Sequence, residues 1–301
     1  MNKHILITGA TGMVGKKIIN VLQQSGHTVA ILSRKKKSLP GVKTYLWDVD
    51  KNQIDTRCMD GTDTIIHLAG ENIAAKKWTE KRKKQIIDSR VLSTRLLYKT
   101  INETNTRIDT FISASAVGYY GDCGDEILTE DSPSGYGFMA KCCKEWEEAV
   151  DKGKSYGIRI VKFRIGVILS KAEGALTSLE KPIKLFVGAP LGSGKQWVPW
   201  VHVDDIAAMF VNAVDNPLLS GPYNACAPFP VTNKTLTKSI ARQLHRPVWP
   251  FNVPESLLKI ILGEMSEVIF ISTNTSAQKL LSADFKFKYT QLQDALSDIY
   301  G

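Results

Sequence analysis

Apolar and polar positions along this chain switch between a period of two and a period of about 3.6, and the switching lays out the elements. The run at 5–7 (Ile-Leu-Ile) has the unbroken hydrophobic character of a strand covered on both faces, as in a parallel sheet. Directly after it, Val14, Ile18, Ile19 and Leu22 fall on one face of a helix that should end near Ser25-Gly26. Further strands are expected over 28–33, 42–47, 63–70, 111–115 and 158–165, with a long polar-faced helix over 79–102 among them. Beyond 166–168 the pattern changes. A strand returns at 223–226, and 206–214, 233–244, 254–262, 275–281 and 291–300 read as helices. Such alternation predicts an α/β architecture: a doubly wound parallel sheet and a smaller, mainly helical C-terminal lobe.

Between the first strand and the first helix stand Gly9, Gly12 and Gly15. Gly9 would make the tight turn, Gly12 would let backbone N–H groups approach a pyrophosphate, and Gly15 would let helix and strand pack closely. Phosphates would then sit on the positive end of the helix, along the turn from Gly9 through Thr11, Gly12, Met13 and Val14 to Gly15. The alternative, an ordinary strand-to-helix turn, fits this position less well, because a strand precedes the triplet and an amphipathic helix follows it.

The residue after the second strand separates the two nicotinamide cofactors: an acid there holds a ribose hydroxyl, whereas a 2′-phosphate needs a cation. This chain offers Ser33-Arg34 and no acid beside them, which predicts NADP(H) in preference to NAD(H); the other reading is a solvated loop arginine. Asp48, after the third strand, is placed to meet the adenine edge or to serve a turn. Leu68, Ala69 and Gly70 would bring backbone alongside the cofactor, with Glu71 and Asn72 extending that loop. Gln85 and Arg90 either face back toward the cofactor or belong to a surface helix. His67 reads as a packed strand residue, since neither a nucleophile nor a second ligand is spaced to use it. Ser113 and Ser115 would emerge at the carboxyl edge of the sheet, where ligands bind in doubly wound folds.

Bulk properties exclude several classes. The 301 residues are 43% hydrophobic and 23% charged, the make-up of a globular enzyme. No segment approaches the ~18 consecutive apolar residues of a membrane span, and the charged start lacks a signal peptide's apolar run, so a cytoplasmic protein is expected. A net charge of +9 raises the question of nucleic acid, yet the basic runs at 35–37 and 76–84 are interrupted by one aromatic, Trp78. No nucleic-acid motif accompanies them, so a solvated face that steers anionic ligands is the better reading. Five cysteines (Cys58, Cys123, Cys142, Cys143, Cys226) lack zinc-ligand spacing and suit a reducing compartment; no metal is assigned. The His202-Val-Asp-Asp205 cluster is better read as a helix start, with Asp204 or Asp205 as cap, than as a metal site.

Three stretches, 8–15 (TGATGMVG), 67–70 (HLAG) and 113–121 (SASAVGYYG), resemble the extended short-chain dehydrogenase/reductases of the NAD-dependent epimerase/dehydratase superfamily. More narrowly, 68–72 (LAGEN), 138–140 (FMA) with Trp146-Glu147, 188–197 (GAPLGSGKQW) and 262–265 (LGEM) resemble an atypical subgroup. Its members are labelled uncharacterised epimerase-family proteins with a C-terminal domain of unknown function, and sometimes cell-division-inhibitor homologues. The resemblance runs end to end.

It implies a Rossmann-type domain over 1–168 with a return segment near 198–226, and a substrate-side lobe over 169–197 and 227–301. It also implies NADP(H) held by Ser33, Arg34, Leu68, Ala69, Gln85, Arg90 and Ile168, with Arg164 a further cofactor-side candidate. The superfamily's acid/base is a Tyr-x-x-x-Lys on the helix after the serine-bearing strand, and counting back four from Lys141 lands on Gly137. Tyr136 stands one residue early, turned about 100° on a helix. Tyr119 or Tyr120, in the loop after Ser115, could reach the pocket instead. Ser115, Tyr119 and Lys141 are therefore the catalytic candidates, and Gln196, Trp197 and Trp200 either line a pocket or pack in the core. Two functions follow: an oxidoreductase or epimerase using NADPH on a small polar, sugar-like substrate, or an NADPH-binding sensor that has lost catalysis.

Overall fold

Unbroken apolar runs form the centre of one sheet in the computed structural model, which describes residues 2–171 and 173–301. Residue 1 of the expected first domain and residue 172 of the expected lobe thus lie outside the described residues. In chain order the strands are β1 (His4–Thr8), β2 (Thr28–Ser33), β3 (Val42–Asp48), β4 (Gln53–Ile54), β5 (Thr64–His67), β6 (Thr110–Ala116) and β7 (Ile127–Leu128). They continue as β8 (Arg159–Ile165), β9 (Val167–Leu169), β10 (Trp197–Val198), β11 (Trp200–His202), β12 (Gly221–Ala225), β13 (Val231–Thr232) and β14 (Asn274–Thr275). The helices are α1 (Met13–Gln24), α2 (Glu80–Glu103), α3 (Phe138–Asp151), α4 (Ala175–Lys184) and α5 (Val203–Asp215). After them come α6 (Asn233–Gln243), α7 (Glu255–Leu262), α8 (Glu267–Phe270), α9 (Gln278–Ser282) and α10 (Leu292–Tyr300).

The main sheet runs β12-β8-β6-β5-β1-β2-β3-β4, and every pair in it is parallel except β3 with β4. From β1 the chain moves through β2 and β3 to one side, then crosses back to lay β5, β6 and β8 on the other. Right-handed crossovers in opposite directions put α1 on one face and α2 and α3 on the other. The packing agrees: α1 lies against α5, and α2 against α3. This is the Rossmann-type order, with its switch point between β1 and β5, the crevice in which such folds hold ligands.

Two cores and a small cluster of Trp78, Ile86, Met139 and Cys142 stabilise the described residues. The larger surrounds the sheet (Leu6, Ile7, Ile18, Leu22, Ile65, Ile66, Phe111, Phe163, Phe210) and also takes in Leu280 and Phe285 from the C-terminal stretch. The smaller one joins Leu169, Leu176, Trp200, Leu236, Ile240, Leu296 and Ile299. Among the described residues, no helix is long and apolar enough to cross a membrane.

Three local expectations are corrected. The helix expected from 206 begins at Val203, and its cap is neither aspartate but His202, whose Nδ1 accepts the Asp204 N–H at 3.2 Å. Asp205 instead accepts backbone N–H groups of Lys288 and Tyr289 at 2.7 and 3.0 Å, and Asp204 pairs with Lys17 at 2.7 Å. The helix expected over 275–281 is split: Asn274–Thr275 pairs with β7 as a strand, and helix starts only at Gln278.

Candidate functional site

The glycine turn is built by close approach. At φ +69° a Cβ on Gly9 would lie 2.7 Å from the Leu68 carbonyl carbon and 2.8 Å from Ala69 N, so the turn after β1 touches the backbone leaving β5. One on Gly15 would lie 2.5 Å from the Ala10 Cα, which is how tightly α1 packs on the strand end. Gly12 differs: its nearest neighbour would be Gly9 O at 3.5 Å, leaving the space in front of the turn open. Among the described residues no side chain caps α1 and no acid stands in its first turn. Unpaired N–H groups, a positive helix end and open space fit a dinucleotide's phosphates. Thr11 is exposed and Val14 packs on the core edge. Gly174, just before α4, comes close to both Met13 and Ile168: a Cβ there would lie 3.6 Å from Met13 Cε and 4.0 Å from the Ile168 carbonyl.

A hydroxyl hub fixes the neighbouring loop. Thr8 Oγ1 accepts the N–H groups of Leu68 and Ala69, both at 3.2 Å, and lies 2.7 Å from His67 Nδ1. The other ring nitrogen, Nε2, lies 3.2 Å from Ser93 Oγ and 3.1 Å from Thr94 Oγ1, whose protons go to backbone carbonyls of α2. The network therefore assigns the neutral Nε2–H tautomer, with Thr8 donating to Nδ1. Burial pushes the His67 pKa down to about 3. His67 is thus a packed residue that ties β1, β5 and α2 together.

Charged side chains gather beside the hub. Arg34 projects into solvent after β2, and its guanidinium lies 3.7 Å from the Glu71 carboxylate. No acid follows β2 in the sequence, as read from it, but one arrives beside Arg34 from the loop after β5. Glu71 also pairs with Arg82 at 3.0 Å, and Arg82 in turn reaches Gln85 Oε1 at 3.5 Å and the Asn72 carbonyl at 2.7 Å. Arg90 donates to the carbonyls of Glu71 and Ile86, lies against Gly70 and stacks over Trp146 at 5.1 Å. Ser33 Oγ accepts the Lys35 N–H, and Asp48 takes the Lys51 N–H, the turn role of its two readings. The structure thus brings Arg34, Glu71, Gln85 and Arg90 to one rim, beside the Leu68–Gly70 backbone.

The ends of β6 and β8 are organised differently. Arg164 is buried, its guanidinium bidentate on Glu147 at 2.9 and 3.1 Å, and it also donates to Tyr120 OH and the Glu130 carbonyl. Lys162, likewise buried, lies 3.2 Å from the same carboxylate. Ser115 Oγ donates to Glu147 at 2.8 Å, and Tyr120 OH to Asn224 at 2.6 Å. Burial pushes Glu147 up, but the Arg164 and Lys162 charges outweigh it and hold the carboxyl below its usual range. Tyr120 is raised by burial. Tyr119, half-buried, lies under the Arg164 guanidinium at 3.5 Å, and Ser113 Oγ donates to the Ala114 carbonyl. The expectation that Arg164 faces the cofactor is corrected: its donors are consumed by this network. Ser115 is turned toward Glu147 as well.

Helix α3 supplies a further correction. Gly137 lies outside it, as the residue before its first turn, at φ +93°, and Tyr136 is fully exposed. Lys141 faces solvent beside Glu145, 3.9 Å away, not the end of β6. The residues that look toward that end are Met139 and Cys143: a Cβ on Gly118 would meet Met139 Cβ at 3.2 Å and Cys143 Sγ at 3.9 Å. These two have the i, i+4 spacing of an acid/base pair, but one is a thioether and the other a buried thiol pushed up to about 12 by burial. Counting from Lys141 missed this face because α3 starts after Gly137. Thr8, Arg82 and Glu147 were not among the expected site residues, although Thr8 opens the 8–15 motif and Glu147 belongs to the Trp146-Glu147 pair of the resemblance.

A cleft of about 690 Å³ opens beside the loop leaving β6, lined by Asp122, Glu255, Lys259, Glu264, Glu267 and Phe270. Glu267 also touches the space beside Gly137. A second cavity, about 220 Å³, lies at the opposite edge of the sheet between His4, Thr28, Lys43 and Asp60, away from the glycine turn. Gln196 and Trp200 are buried ties, donating to the carbonyls of Leu191, Ile269 and Phe229, while Trp197 donates to Asp125 at 2.7 Å.

Comparison with known proteins gives the same outline. Residues 5–226 match the NAD dependent epimerase/dehydratase family, and 253–299 match a domain of unknown function, DUF1731. Epimerase family protein YfhF of Bacillus subtilis is 38% identical over 298 residues, 98% of this chain and 97% of that protein. The crystal structure of human epimerase family protein SDR39U1 (isoform 2) with NADPH superposes with a TM-score of 0.86, at 26% identity, over 99% of both chains. A nucleoside-diphosphate sugar epimerase from Corynebacterium glutamicum gives 0.82 at 35% identity, covering all of this chain and 59% of that one.

Proposed function

The chain belongs to the NAD dependent epimerase/dehydratase family, and from that premise we propose that it is an NADP(H)-dependent, epimerase- or oxidoreductase-like protein acting on a small polar substrate. The observation that carries the cofactor choice is Arg34, an exposed guanidinium directly after β2. The NADPH in the human relative's structure supports the same choice. The uncapped first turn of α1 holds the pyrophosphate, Arg34 pairs with the 2′-phosphate, and the Thr8–His67 hub keeps the Leu68–Ala69 backbone against the dinucleotide. Bound there, a nicotinamide supplies or accepts hydride. Tyr119 is the hydroxyl assigned to proton transfer. Four carboxylates against one lysine in the larger cleft favour a neutral or cationic polar substrate over a diphosphate. Five free cysteines fit a cytoplasmic setting.

Isothermal titration tests the cofactor choice. NADPH should bind well ahead of NADH, and Arg34→Ala should cost about 1.5–3 kcal/mol toward NADPH alone. Equal affinities in the wild type would sink it.

A second reading, an NADPH-binding sensor without catalysis, is favoured by the Met139–Cys143 face, which offers no group that ionises near pH 7. Installing Met139→Tyr with Cys143→Lys should then raise reduction of a simple carbonyl substrate, a positioned acid/base being worth ~10²–10⁴-fold. Brisk wild-type turnover that Tyr119→Phe abolishes without changing NADPH affinity would reject the sensor.

A further inference from the structure

Glu71 sits between two guanidinium groups of very different exposure. Arg82 is 7% exposed, bonded to Glu71 and to the Asn72 carbonyl, and its Nε has no partner among the described residues. Arg34 is 81% exposed, and among the described residues its one ion pair is with Glu71. The carboxylate is therefore anchored on the buried arginine and leans toward the free one. In the family's NAD-type arrangement an acid follows β2 itself; here an acid reaches the Arg34 side chain from the loop after β5.

Resting on the reading of Arg34 as the 2′-phosphate partner, we propose that Glu71 sets cofactor discrimination by occupying the Arg34 guanidinium and competing with the 2′-phosphate for it. A phosphate brings more charge and three acceptor oxygens, so it displaces the carboxylate but remains close to it. NAD(H) carries a hydroxyl there and neither needs Arg34 nor is repelled. Glu71 thus weakens NADP(H) binding selectively and narrows the preference that Arg34 creates.

The test titrates NADPH and NADH into the full chain as wild type, Glu71→Gln, Arg34→Ala and the double variant. Glutamine keeps a carbonyl oxygen for Arg82 but removes the charge facing that buried guanidinium, so the thermal midpoint of Glu71→Gln is measured alongside and the titrations are read on the folded variant. Glu71→Gln should tighten NADPH about two- to fivefold, the scale of an exposed ion pair, with NADH unchanged. In the Arg34→Ala background that gain should vanish. Unchanged or weaker NADPH binding by Glu71→Gln overturns the proposal, as does a gain that persists without Arg34. Weaker NADH binding overturns it too, because Glu71 would then be a ribose-hydroxyl acceptor. Failure of the underlying cofactor reading looks different: the wild type would bind both nucleotides equally, and Arg34→Ala would change neither.

Discussion

Two neighbouring regions of the same sheet edge, the turn after β1 and the ends of β6 and β8, both collect polar groups and use them in opposite ways. At the β1 turn the first N–H groups of α1 have no side-chain cap among the described residues and face the open space before Gly12. At β6 and β8 the hydroxyl of Ser115, the carboxylate of Glu147, the Arg164 guanidinium, the Lys162 ammonium and the Tyr120 phenol satisfy one another inside the protein. A buried charge left without a partner is costly, so a closed network of this kind is what a core requires. Donors left open at the surface are what a ligand requires. Position at the carboxyl edge does not distinguish the two; hydrogen-bond accounting does.

Breaking the closed region should have the largest effect. Glu147→Gln leaves Arg164 and Lys162 buried with their shared charge removed, and denaturant unfolding should show a loss of about 3–5 kcal/mol. A loss below about 1 kcal/mol would mean the network is solvated and the contrast false.

The open region is sharpened by a pair of glycine substitutions. Gly15→Ala drives a methyl into the Ala10 backbone and should destabilise the fold by about 1–3 kcal/mol. Gly12→Ala meets nothing closer than 3.5 Å, so its thermal midpoint should stay near wild type while NADPH affinity falls. If both variants lost stability alike, the space before the turn would not be open.

His67, in the hub beside the β1 turn, gives the comparison a pH dependence. Its folded pKa, about 3, lies below the ordinary value of 6.5, so the unfolded chain binds the extra proton between those two limits. The stabilisation is complete above pH ~6.5 and falls as pH drops toward 3, by up to about 1.4 kcal/mol per unit. Unfolding titrations at pH 7, 6 and 5 should show this slope, and His67→Gln should flatten it. The smallest effect belongs to Lys141: its replacement by Met should leave stability within about 0.5 kcal/mol and NADPH affinity unchanged, whereas a large loss of either would return it to the site.

Much of this was legible in the chain. The strand at 28–33, the near-complete span of the long helix and the glycine turn follow from local causes: apolar periodicity, Thr79 accepting the Arg82 N–H at the helix start, and glycine spacing. Local patterns act through neighbours in sequence, so sequence determined them. What it could not settle was which polar groups meet. Ser115 finds Glu147 across 32 positions and Tyr120 finds Asn224 across 104, and no short-range pattern encodes such pairs. The acid beside Arg34 comes from another loop for the same reason. Helix α3 starts after Gly137, with Met139 and Cys143 inward and Lys141 outward, and the spacing to Lys141 alone does not reveal which face is buried. Sequence thus determined the scaffold and the glycine turn, while only the tertiary structure decided which side chains stay free to meet a ligand, because satisfaction of a polar group depends on partners that folding brings from far along the chain.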